Sequence, residues 1–131
     1  MEDHHKREYS FDELSAMLVG GYMLISKLLL RLPIPIALPA ITEDGLDGVI
    51  AVAAVDKARR DISALPMDAL TAAMMQQVLL EWLTAHDQGL VIINLGEEPR
   101  RLAAMTATLT RLTHLGDHAE IRLELEEEDE E

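Results

Sequence analysis

Between positions 14 and 41 the chain runs 28 residues with only two charged side chains, Lys27 and Arg31, in a protein whose formal charge is −13. An apolar block of that size must be buried against the chain itself, a partner or a lipid. Its first part reads as a helix. Ser10-Phe11-Asp12-Glu13 has the form of a capping box, with the Ser10 hydroxyl accepting from a backbone N–H three residues on and Glu13 reaching back. Behind it Leu14, Met17, Leu18, Gly21, Ile25, Leu28, Leu29 and Leu32 recur at 3–4 spacing, which predicts a helix over 11–32. Gly20-Gly21 in its middle is costly, about 1 kcal/mol per residue relative to Ala. The pair marks either a kink or, with Ala16, a small-residue surface where a second helix backbone lies close.

Pro33, Pro35 and Pro39 end that helix and impose an extended segment over 33–41. The remaining residues of the segment are apolar, so it should lie in a groove rather than in water. Residues 42–47 form a polar turn. The stretch 48–55 can be read as a buried strand, but Val49, Ile50, Ala53, Ala58 and Ile62 also mark a helical stripe, and the alanines favour helix. Pro66 restarts the chain, and 67–87 carries a broad apolar stripe around Met74, Met75, Val78, Leu79 and Trp82. A stripe that wide suits a central helix or one shared with another subunit. Gly89 is placed to stop it.

Residues 90–95 are short, rich in β-branched side chains and bracketed by Gly89 and Gly96, which predicts a strand. Pro99 then suits the first turn of a helix running to about 114, closed by Gly116. Residues 119–126 alternate with period two, placing Ile121, Leu123 and Leu125 on one face of a second strand. The expected fold class is therefore α/β and helix-dominated, with N-terminal helices packed on a small C-terminal β-α-β unit. The organisation expected is a polar arm at 1–9, one globular domain at 10–123, and an acidic tail at 124–131. Seven of the tail's eight residues are acidic; without them the net charge falls from −13 to −6. Such a run repels itself and is expected to be disordered.

Composition excludes several classes of chemistry. With no cysteine there is no disulfide, thiolate nucleophile or cysteine-bound metal, and a cytoplasmic location is the default expectation. The acidity disfavours direct contact with nucleic acid or anionic membranes. Only 13 residues, 14–26, run without charge before Lys27, Arg31 and Pro33 intervene, too short and too interrupted to span a bilayer, so membrane attachment is not expected. His114, Asp117 and His118 are metal-ligand types at close spacing, but a helix end explains them more simply than a metal does. The turn at 95–101 could bind an anion at a helix start, yet Glu97 and Glu98 already occupy that positive end. No Gly-rich phosphate loop and no nucleophile with a base is present, so neither catalysis nor a cofactor is expected.

What remains is a module that works through contacts: a homo-oligomeric adaptor, scaffold or regulatory subunit whose partner is itself or another protein. The expected interface is Leu14, Met17, Leu18, Gly20, Gly21, Ile25, Leu28 and Leu29 of the first helix, together with Ile34, Ile36 and Leu38 of the proline segment. Two alternatives come from other classes. One is an acidic inhibitor, or decoy, of a nucleic-acid-binding protein. The other is a carrier of a small hydrophobic ligand between the Met-rich helices.

Overall fold

Each helix begins where a side chain can satisfy free backbone N–H groups or where none is needed. In the computed structural model, which describes residues 8–129, the Ser10 capping box opens α1 (Phe11–Leu29), with both of its hydrogen bonds formed. Asp47 accepts from Ile50 N at 3.1 Å to open α2 (Gly48–Asp61), which runs into a 3₁₀ turn at Ile62–Ala64. Asp68 does the same for Thr71 N at 3.1 Å at the start of α3 (Ala69–Leu95). Pro99, lacking an N–H, is the first residue of α4 (Pro99–Asp129).

The helices bury apolar rows spaced alternately four and three residues apart. In α3 the row is Thr71, Met75, Val78, Trp82, Ala85, Gly89 and Ile92; in α4 it is Met105, Leu109, Leu112, Gly116, Ala119 and Leu123. In α1 it runs through Leu14, Leu18, Gly21, Ile25 and Leu28 and on to Leu32 just past its end, with Leu18 half-buried, and in α2 and its 3₁₀ extension through Ala51, Val55, Ala58 and Ile62. This is the spacing of knobs-into-holes packing between nearly parallel or antiparallel helices.

α3 is the hub, packing against α1, α2 and α4. Cross-links fix the directions. Trp82 Nε1 donates to the Leu18 carbonyl at 2.8 Å, and Gly89 lies beside Phe11, so α1 runs antiparallel to α3. Gln76 donates to the Arg59 carbonyl at 3.0 Å and Gly48 abuts His86, so α2 is antiparallel as well. The α3–α4 hairpin turns at Gly96, whose φ of 106° lies in the region that favours glycine.

The expected C-terminal β-α-β unit does not form: no strand occurs among the described residues, whose only β-type pairing is the isolated Thr42–Gly45 bridge. Residues 90–95 continue α3 because Ala85, Gly89 and Ile92 fall on its buried row. Residues 119–126 continue α4 because Ala119 and Leu123 extend the Leu112–Gly116 row. Gly89 and Gly116 are not helix stops but points where a neighbouring helix comes close. The stretch 48–55 is helical, and α1 ends at Leu29 rather than 32. Residues 124–129 are helical as well, against the disorder expected of the acidic tail. Arg31 secures that end, 3.0 Å from Glu127 and 3.6 Å from Glu120. Residues 1–7, most of the polar arm, and residues 130–131 lie outside the described residues.

Candidate functional site

The interface expected from sequence is largely spent inside the molecule. Leu14, Gly21, Ile25, Leu28 and Leu29 are buried in the chain's own core. Met17, Leu18, Ile36 and Leu38 are half-buried against it, leaving Gly20 and Ile34 exposed. The proline segment folds back along α1: Ile36 N donates to the Leu29 carbonyl at 3.0 Å, and the Tyr22 hydroxyl to the Pro39 carbonyl at 2.6 Å. Burial holds the Tyr22 phenol above its ordinary range, which keeps it a donor.

The residues weighed for chemistry are accounted for by local structure. Arg101 Nη1 donates to the carbonyls of Leu95 and Gly96 at 2.7 and 3.1 Å, capping the end of α3, and pairs with Glu98 at 3.4 Å. Arg100 also pairs with Glu98, at 3.3 Å. His114, Asp117 and His118 sit on the exposed side of α4, with His118 Nδ1 against the His114 carbonyl at 2.8 Å. No group of three or more His, Asp or Glu among the described residues is arranged to hold a metal ion. No helix among them is long and apolar enough to cross a membrane.

Eight of the fourteen large apolar side chains left exposed among the described residues lie on α2 and α3. The α3 row that meets α2, running through Leu83 and His86, continues to Leu90 and Ile93 beyond the first residue of α2, which sits on His86. These two are 45% and 65% exposed, and Val49, at the start of α2, is 82% exposed. Beside α2 the outer surface of α3 forms an open groove. At one end is a recess of about 560 Å³ lined by Val49, Val52, Ala53, His86, Asp87 and Leu90 among others. It shares Val52, Ala53 and Asp87 with a second recess of about 360 Å³ that reaches Leu80 and Leu83. His86 forms part of the floor. Its ring lies 5.6 Å from that of Trp82, and a Cβ on Gly48 would come within 3.0 Å of its Nε2. Glycine at the first position of α2 therefore lets that helix sit directly on His86.

None of these groove residues belongs to the interface expected from sequence. The signal that points to them is the breadth of the α3 stripe: a helix apolar on every side needs more covering than its own chain supplies. Among family models, curated proteins and solved structures, no match to this chain is found.

Proposed function

We propose that the chain is a non-catalytic protein-interaction module, an adaptor, scaffold or regulatory subunit, and that its contact surface is the outer face of α2 and α3. The observation that carries this reading is apolar surface left bare on the hub helix. Leu90, Val91, Ile93 and Leu95 are each between 43% and 65% exposed, and Leu90 shares a recess with Val49. Apolar surface left bare in this number is costly in water and marks contact sites in proteins that keep it. The surroundings suit contact better than chemistry: aliphatic walls, carboxylates at the rim, and arginines engaged in capping and ion pairs.

The test compares the wild-type chain with the double variant Val49→Asp/Ile93→Asp as bait in extracts of the source cells. Both side chains are exposed, so the variant should keep its helical circular dichroism and thermal midpoint. A partner retained by the wild-type protein and lost from the folded variant is the expected result. Identical sets of retained proteins would refute the reading.

A further inference from the structure

We propose that the groove between α2 and α3 seats a basic amphipathic helix of a partner protein; this rests on the interaction-module reading above and adds the partner's chemistry. The shape points to a helix. Leu80, Leu83, Asp87 and Leu90 recur along the outer side of α3 at spacings of three and four, and α2 supplies Val49, Val52, Ala53 and Asp56 as the opposite wall. Two antiparallel helices with such rows offer a third helix the same packing that each already makes within the fold. From Leu80 to Leu90 the groove runs about 15 Å, three turns, enough for about 11 residues of a docked helix.

The charge points to a basic one. Asp47, Asp56 and Asp87 line the two recesses, and no Lys or Arg does. Asp56 is taken up by Arg59 at 2.8 Å and Arg60 at 3.4 Å. The acidity that no Lys or Arg offsets therefore gathers at the other end, around Asp87, which is 79% exposed and 3.8 Å from His86, and Asp47, the cap of α2, with Glu43 and Asp44 in the turn before it. Asp87 falls within the apolar row between Leu83 and Leu90, so an occupant placing a Lys or Arg opposite it is favoured over one that does not. A charged residue in such a row selects partner and register at some expense of affinity. A second copy of the chain is the poorer occupant. Each copy carries a charge of −13, so pairing two copies through an acid-lined groove sets like charges against each other.

The experiment titrates the full chain, by fluorescence anisotropy, into labelled synthetic helices of about 18 residues, long enough to fold on docking. Each has leucine on one face at alternating spacings of three and four. The polar face is lysine in the first peptide, glutamine in the second and glutamate in the third. The expected result is one saturable site for the lysine peptide, weaker binding of the glutamine peptide, and none of the glutamate peptide. Leu90→Asp should raise the dissociation constant of the lysine peptide at least about tenfold, and Asp87→Lys about threefold or more. Leu90→Asp makes the protein more acidic, so attraction by net charge alone would strengthen binding instead. Ile121→Asp, on the exposed side of α4, adds the same charge elsewhere and should leave the affinity unchanged. Equal binding of all three peptides would overturn the basic occupant while leaving a helix-binding module. Lysine-peptide binding that survives Leu90→Asp would overturn the groove as the seat. A wild-type oligomer in light scattering that Leu90→Asp converts to monomer would give the groove to a second copy, overturning the proposal but not the interaction reading.

Discussion

Glycine inside a helix costs about 1 kcal/mol relative to alanine, yet four of the seven glycines here sit in helix interiors: Gly20, Gly21, Gly89 and Gly116. Three of them occupy buried rows where helices meet. A Cβ at Gly21 would lie 3.3 Å from Leu112 and 3.4 Å from Trp82, and one at Gly89 3.5 Å from Met105. At Gly116 it would lie 2.6 Å from Leu24, closer than real side chains approach. Gly21 also leaves room for Trp82 to reach the Leu18 carbonyl. Gly20, one residue away, has nothing within 4 Å of where a Cβ would stand. Gly20→Ala should therefore raise stability by about 0.5–1 kcal/mol through helix propensity alone. Gly116→Ala gains the same propensity but must displace Leu24, an overpacking cost of about 1–3 kcal/mol, for a net loss of about 1 kcal/mol. Urea midpoints of the two variants check both signs; a Gly116→Ala protein as stable as Gly20→Ala would mean that Leu24 gives way without cost. The sequence reading left kink and close approach open for the pair. The row Leu14, Leu18, Gly21, Ile25 contains Gly21 and skips its neighbour, so the distinction was present in the spacing.

Among the elements, the helix starts were the most legible. Ser10, Asp47 and Pro99 stand at or beside the boundaries read from sequence, because caps act through neighbours three residues away and need no tertiary context. The cap of α3 has a tertiary addition. Asp68 accepts from Thr71 N and is also approached by Arg122 of α4 at 2.9 Å, tying the start of α3 to the far end of α4. The Thr71 hydrogen bond, and then Arg122, hold the Asp68 carboxyl below its ordinary range. The folded protein thus keeps this group ionised at a pH where the unfolded chain protonates it. Its contribution is complete at neutral pH and is lost as the pH falls below about 4, the ordinary aspartate value, through the lowered folded value. Asp68→Asn preserves the cap acceptor but not the charge. Its destabilisation relative to wild type should be greatest at pH 7 and shrink as the pH falls below about 4, measured as the difference in urea midpoints. A difference independent of pH would mean that the carboxylate charge contributes nothing.

For the molecule as a whole, the acidic end adds most to the charge and little to the core. Ala119 and Leu123 are the last buried apolar residues of α4, and beyond them the helix is tied down by exposed pairs to Arg31 such as Glu127. Exposed ion pairs contribute little, and carboxylates near a helix C-terminus are unfavourable to its dipole. Deleting 124–131 should keep a cooperative thermal transition within a few degrees of the full chain, with a loss of helical signal confined to the last turn or two. A non-cooperative truncated protein would show that the tail belongs to the core. The primary structure already specified helix starts, an aliphatic core, and an apolar block too large to leave in water. Which faces meet, and where α3 and α4 end, depended on packing. Strand propensity at 90–95 differs from helix propensity by about 1 kcal/mol and shifts with context, whereas burying a side chain such as Ile92 contributes about 1.5–3 kcal/mol. Once α1, α3 and α4 align their four-and-three rows, that burial recurs along each helix and outweighs the local preference. The same alignment draws the first helix inward and leaves the outer groove of α2 and α3 bare, because a 14-residue helix covers only about 21 Å of a hub about 40 Å long.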